Sequence, residues 1–212
     1  ARVQTGLADL FSLPDGYEVV IGNGGSVAFF DLVTYALVRE RSQHAVFGAF
    51  GKKFLSAAKA APWLADPSVI SADPGSLAVP AYEDGVDVYA WTHNETSTGV
   101  MAPVVRPAGA GADQLTIVDA TSAAGGLPLE VTQSDVYYFA PQKSFASDGG
   151  LWLTLLSPAA IARAEEIAAS GRHIPSFFSL TEAIKQSRSA QTVNTPAVST
   201  LFLMAEQLDW MN

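Results

Sequence analysis

YEVVIGNGGSVAFFDLVTYALVRE, residues 17–40, decides the fold class. YEVVI, residues 17–21, suits a strand. GNGGS, residues 22–26, breaks it with a glycine loop, and from residue 26 onward the apolar residues fall at helical spacing. The same rhythm recurs down the chain: VDVYAW (86–91) runs into THNETSTG, LTIVD (115–119) into ATSAAGG, and DVYYFA (135–140) into PQKS, with LWL after a glycine hinge reading as a further apolar strand. SPAAIARAEEIAASG predicts a helix with Ser157 as N-cap, Pro158 at the first helical position and Gly171 just past its end. Strands alternating with helices predict an α/β fold with a mostly parallel central sheet and helices on both faces.

With 212 residues, 49% of them hydrophobic and only 16% charged, the chain can bury a sizeable core and reads as one domain over residues 1–212. A net charge of -9, with 12 scattered basic residues, argues against nucleic acid as a partner, since phosphate backbones require clustered Lys and Arg. No apolar run approaches the roughly 18–20 residues of a membrane span; Val27 to Val38 is short and carries Asp31. The absence of cysteine removes disulfides and thiol chemistry, and together with the lack of a leader pattern leads to a cytoplasmic expectation. His44, His93 and His173 lack metal-ligand spacing, so no metal site is expected. Both ends lie inside helical patterns (Val3, Leu7, Leu10, Phe11 at one, STLFLMAEQLDWMN at the other), which suggests a piece of a longer protein.

In open α/β sheets, ligands bind beyond the carboxyl ends of the strands. Those ends here deliver GNGGS, then Thr-His-Asn-Glu-Thr, then Asp119, then Gln142 and Lys143. A glycine loop entering a helix offers free N–H groups and a positive dipole end to an anion, although an ordinary strand-to-helix turn needs the same glycines. A dinucleotide GxGxxG fails because position 27 is valine, and GAFGKKF (48–54) is too short for a P-loop. The loop suits a single phosphate. Asp119 could cap a turn or hold a proton on a cationic ring nitrogen. Lys143 could be a surface charge; its apolar flanks instead predict a semi-buried position, where desolvation would favour the reactive free amine.

Taken in order, the glycine loop, NETSTG (94–99), DATSAAGG (119–126), APQKSF (140–145) and NTPA (194–197) resemble the large domain of phosphoserine aminotransferases of the actinobacterial type. These are pyridoxal-phosphate enzymes of the aspartate-aminotransferase fold, fold type I. The resemblance covers essentially the whole chain. It implies transfer of an amino group between glutamate and 3-phosphohydroxypyruvate in serine biosynthesis, with pyridoxal 5'-phosphate as cofactor.

Residue by residue, the resemblance makes Lys143 the Schiff-base lysine and Asp119 the partner of the pyridine nitrogen. Ser26 and Val27 would hold the cofactor phosphate through their backbone, and Gln142 would contact it. Phe50 stands where many members have a tryptophan stacked on the cofactor ring, and Thr96 lies near the ring's 3-hydroxyl. Asn194 and Thr195 would reach the phosphate in the partner subunit of a homodimer with shared active sites. Thr195 would also serve as N-cap ahead of Pro196 at a helix start. The family's substrate arginines lie in an N-terminal arm and a C-terminal small domain, neither of them within these 212 residues. Other readings are an alanine–glyoxylate type aminotransferase, a cysteine desulfurase, disfavoured by the lack of cysteine, and a non-catalytic nucleotide- or phosphate-binding module.

Overall fold

The strand, loop and helix read at residues 17–40 form in place as strand β1 (Glu18–Asn23) and helix α2 (Ser26–Ala36), preceded by helix α1 (Arg2–Leu10), in a computed structural model describing residues 1–212. Then follow β2 (Ser42–Val46), α3 (Ala49–Ala60), β3 (Ser68–Ser71), β4 (Val88–Thr92) and a short hairpin of β5 (Asn94–Glu95) and β6 (Val100–Met101). The chain continues through β7 (Leu115–Asp119), β8 (Val136–Phe139), β9 (Leu151–Leu156), α4 (Pro158–Ala169), α5 (Leu180–Arg188) and α6 (Val198–Met211).

Seven strands make one sheet in the order β1-β9-β8-β7-β4-β2-β3. β8, β7, β4, β2 and β3 pair in parallel, and β9 alone runs against both its neighbours. The short connection between Phe139 and Leu151 explains that exception. A parallel return needs a crossover of a dozen residues or more, usually a helix, whereas an antiparallel return does not. The central strands are buried on both faces, as near-continuous apolar runs require. One core, built on Leu7, Tyr89, Trp91, Val118, Tyr137 and Leu208, lies under α1 and α6. The other, built on Phe29, Phe30, Ile117, Tyr138, Trp152 and Ile184, lies under α2 to α5. No helix is long and apolar enough to cross a membrane.

α4 starts as its sequence indicates: Ser157 Oγ accepts the Ala160 N–H at 3.1 Å, and Gly171 beyond its end takes φ +85°. α2 stops at Ala36, short of the helical pattern that continues to Glu40. β2 and β3 carry no apolar signal that marks them as strands. SQHAV is fully buried because its polar side chains find partners: Gln43 Oε1 accepts the Ala81 N–H at 2.9 Å, and His44 Nε2 lies 3.0 Å from Ser42 Oγ. Burial lowers the His44 imidazole to about 3, so the ring is neutral.

α6 corrects the reading of NTPA. The helix begins at Val198 with Ala197 as its N-cap, so Thr195 is not the cap. A proline disfavours α geometry in the residue before it, which keeps Thr195 out of the helix, and the Asn194 N–H is already bonded to Asn23 Oδ1 at 3.0 Å.

Candidate active site at the carboxyl ends of the strands

Parallel register sets Thr92, Asp119 and Tyr138 side by side at the ends of β4, β7 and β8. Asp119 is 4% exposed. Its Oδ1 accepts the Thr121 N–H at 3.0 Å and the Thr121 hydroxyl at 2.6 Å, while Oδ2 receives no hydrogen bond. Burial pushes the carboxyl up to about 6, against the lowering effect of the two Thr121 bonds; the nearby Glu95 charge adds to the rise. Beside it, Thr92 Oγ1 and Tyr138 OH are buried without partners.

β1 delivers the glycine loop to the same edge. Gly22 is required by close approach: a Cβ there would lie 2.0 Å from the Trp152 ring. Gly24 turns the chain with φ +116° and donates its N–H to Gly150 O at 2.9 Å. α2 then starts with no side-chain cap, and the N–H groups of Gly25, Ser26, Val27 and Ala28 have no acceptor. An uncapped helix N-terminus of this kind presents converging donors and a positive dipole end. Ser26 Oγ contacts Thr121 Oγ1, so the loop is tied directly to the residue that holds Asp119.

A second hydrogen-bonded chain runs to Phe50. Ser122 Oγ accepts from Thr96 Oγ1 at 2.9 Å and from Asn94 Nδ2 at 2.8 Å. Glu95, fully buried, accepts the Gly51 N–H at 2.9 Å and the Phe50 N–H at 3.1 Å, and its Oε1 takes the Ser97 hydroxyl at 2.7 Å. Glu95 thus caps α3 from the β5–β6 hairpin, fixing half-buried Phe50 at the helix start. Gly48 gives Glu95 its room, since a Cβ there would meet the Glu95 side chain at 2.2 Å. Lys53 Nζ lies 5.2 Å from the centre of the Phe50 ring.

Ser26, Val27, Phe50, Thr96 and Asp119 therefore lie around one edge, most of them joined through Thr121, Ser122 and Glu95. Gln142, exposed, approaches the glycine loop indirectly: its side chain lies beside Gly149, where an added Cβ would meet it at 3.6 Å, and Gly150 O accepts the Gly24 N–H. Lys143 departs from expectation. It is exposed, on the turn that follows β8, where its carbonyl accepts the Ala146 N–H at 3.0 Å while its side chain forms neither a hydrogen bond nor an ion pair. The apolar residues around it, Ala140 and Phe145, point into the core and leave the intervening turn outside. Asn194 and Thr195 are exposed; Asn194 meets Asn23 of its own chain through its backbone, and Thr195 lines a groove of about 630 Å³ with Gln191, Val198, Leu201 and Phe202.

Thr121, Ser122 and Glu95 were legible only as members of DATSAAGG and NETSTG; nothing local announces that they bond Asp119, Thr96 and the start of α3. No three His, Asp or Glu side chains cluster as metal ligands do. The donor set instead fits an anion at the loop and a cationic ring N–H at Asp119 Oδ2.

Residues 77–212 match the family described as aminotransferase class-V. The chain is 69% identical over all 212 residues to a phosphoserine aminotransferase of Nocardioides sp. strain JS614, and spans 57% of that protein's length. Its fold superposes on a phosphoserine aminotransferase from Cytophaga hutchinsonii with TM-score 0.89, 25% identity, and coverage of 99% of this chain and 59% of the other. An alanine–glyoxylate aminotransferase from Nostoc sp. shares the fold at TM-score 0.77 and 20% identity, over 99% of this chain and 58% of the other.

Proposed function

The chain belongs to the class-V aminotransferase family, and from that premise we propose that the full-length protein is a phosphoserine aminotransferase, moving an amino group between glutamate and 3-phosphohydroxypyruvate in serine biosynthesis. Identity of 69% along the entire chain to a relative of that name carries the reading. The cofactor is pyridoxal 5'-phosphate, residues 1–212 are its binding domain, and the substrate arginines lie in parts of the protein outside this stretch.

The residues present fit that cofactor. The free N–H groups of Ser26 and Val27 would hold its phosphate, with Gln142 in support; Phe50 would supply an apolar face for the ring, and Thr96 a hydroxyl for its polar substituent. When bound, the cofactor supplies an electron sink conjugated to the substrate's α-carbon. Asp119 holds a proton on the ring nitrogen, for which its ionised form is needed. Lys143 Nζ would hold the cofactor covalently, and its amine would take the proton from the substrate's α-carbon. Because Lys143 is exposed within this stretch, the desolvation that makes it a base comes from what covers it in the assembled site: cofactor, partner subunit and the remaining domain. Asn194 and Thr195 serve the partner's phosphate in a homodimer.

Borohydride reduction of the full-length holoenzyme followed by peptide mapping tests the assignment. The pyridoxyl mass is expected on the peptide containing FAPQKSF. Finding it on Lys52, Lys53, Lys59 or Lys185 overturns it.

A further inference from the structure

Thr121 occupies the junction between the glycine loop and the buried carboxylate, and the number of protons available dictates how it works. Its hydroxyl has one proton, and an ionised carboxylate can only accept, so that proton goes to Asp119 Oδ1 at 2.6 Å. In the contact between Ser26 Oγ and Thr121 Oγ1, Ser26 must then be the donor. A directed line results, from Ser26 at the first turn of α2 through Thr121 to Asp119, in which each hydrogen bond polarises the next. The Ser26 proton is turned inward, which leaves backbone N–H groups as the loop's donors toward an anion. Both bonds to Asp119 fall on Oδ1, so its orientation is set from one side while Oδ2 stays available.

We propose that Thr121 is a positioning residue of this site, whose hydroxyl ties Asp119 to the glycine loop, sets the carboxylate's orientation and holds it in the ionised form that a cationic ring nitrogen requires. The proposal rests on the cofactor reading above. Other groups around Asp119 do not supply this effect. Glu95, from β5, opposes ionisation with its own charge. On β8, Tyr137 and Tyr138 are kept neutral by burial, as is His93 after β4. The first turn of α2, Ser26 to Phe29, brings no ionisable group.

The test is the pH dependence of pyridoxal-phosphate binding to the full-length apoprotein, followed by intrinsic fluorescence, for wild type, Thr121→Val, Thr121→Ser and Ser26→Ala. Affinity falls as pH drops through the Asp119 ionisation. Losing the Thr121 hydroxyl bond should move that midpoint up by about one pH unit, the equivalent of one hydrogen bond to a charged group. Thr121→Ser should restore it, and Ser26→Ala should move it the same way by less. Loss of packing alone would weaken binding equally at every pH and would not be repaired by serine. An unmoved midpoint in Thr121→Val, or Thr121→Ser behaving like Thr121→Val, overturns the proposal. If Thr121→Val does not fold, Ser26→Ala reads the same line from its far end, and an unmoved midpoint there is equally fatal. Failure of wild type to bind the cofactor removes the function reading and this proposal together, whereas binding with unmoved midpoints removes this proposal alone.

Discussion

Replacing Asp119 with Asn should raise the stability of the cofactor-free protein relative to wild type as pH rises, while disabling it. Asp119 titrates near 6 in the fold against 3.8 as a free side chain, because burial penalises its charged form. The folded state therefore holds this proton more tightly than the unfolded one. The stabilisation is fully present below about 3.8 and is lost as pH rises through about 6. The full excursion is on the order of 3 kcal/mol, of which about 2 kcal/mol falls between pH 4 and pH 8. An asparagine has nothing to titrate. It also leaves amide protons without built acceptors, a cost on the order of 1–3 kcal/mol, but that cost is the same at every pH and cancels in the comparison. Urea unfolding of the full-length, cofactor-stripped protein at pH 4, 6 and 8 reads the effect. The difference in unfolding free energy, Asp119→Asn minus wild type, should rise by about 2 kcal/mol from pH 4 to pH 8. Parallel pH curves for the two proteins would refute the claim that the carboxylate is buried at a cost. In the holoenzyme the same substitution should lower transamination by about a hundredfold or more, because an amide cannot hold charge on the ring nitrogen. A stability difference that moves in the variant's favour as the carboxylate ionises, together with loss of activity, is the signature of a group kept for function.

Gly22→Ala should lower stability by about 1–3 kcal/mol and perturb the near-ultraviolet circular dichroism of tryptophan, because its Cβ would overlap the Trp152 ring; an unchanged urea midpoint counts against the packing at β1 and β9. If the active site is shared as proposed, full-length Lys143→Ala mixed with full-length Asn194→Ala/Thr195→Ala should recover about a quarter of wild-type activity after subunit exchange, since half of randomly paired dimers carry one intact site. No gain over the separate proteins, with heterodimers confirmed by native mass spectrometry, places Asn194 and Thr195 in service of their own chain.

What the sequence made legible is what one segment settles by itself. YEVVI, the glycine loop and the following helix are a strand, a turn and a helical repeat in succession, and the recurrence of that order along the chain implies the mostly parallel sheet, even though β1 itself pairs only with the antiparallel β9. Asp119 stood out because a carboxylate closes an otherwise apolar strand, and parallel pairing then places it beside the ends of its neighbours. What stayed hidden depends on partners far along the chain. SQHAV does not look like a buried strand until Gln43 is seen meeting Ala81 and His44 meeting Ser42. Glu95 does not look like a helix cap until β5 lies against the start of α3, 45 residues earlier by the Glu95–Phe50 pair.

Lys143 shows the converse limit, where a local inference was drawn and tertiary structure overrode it. Apolar neighbours in sequence imply burial only if the backbone between them stays regular. Here β8 ends at Phe139, the chain turns, and Ala146 adopts φ +49°, so Phe145 enters the core while Gln142, Lys143 and Ser144 are left outside. Asp119 has its environment built into the sheet and is perturbed within this stretch alone, whereas Lys143 would, on the proposed function, take its environment from what covers the strand ends. The two central residues of the proposed chemistry thus differ in this stretch: Asp119 is buried and perturbed by the fold of residues 1–212, and Lys143 lies exposed on a turn.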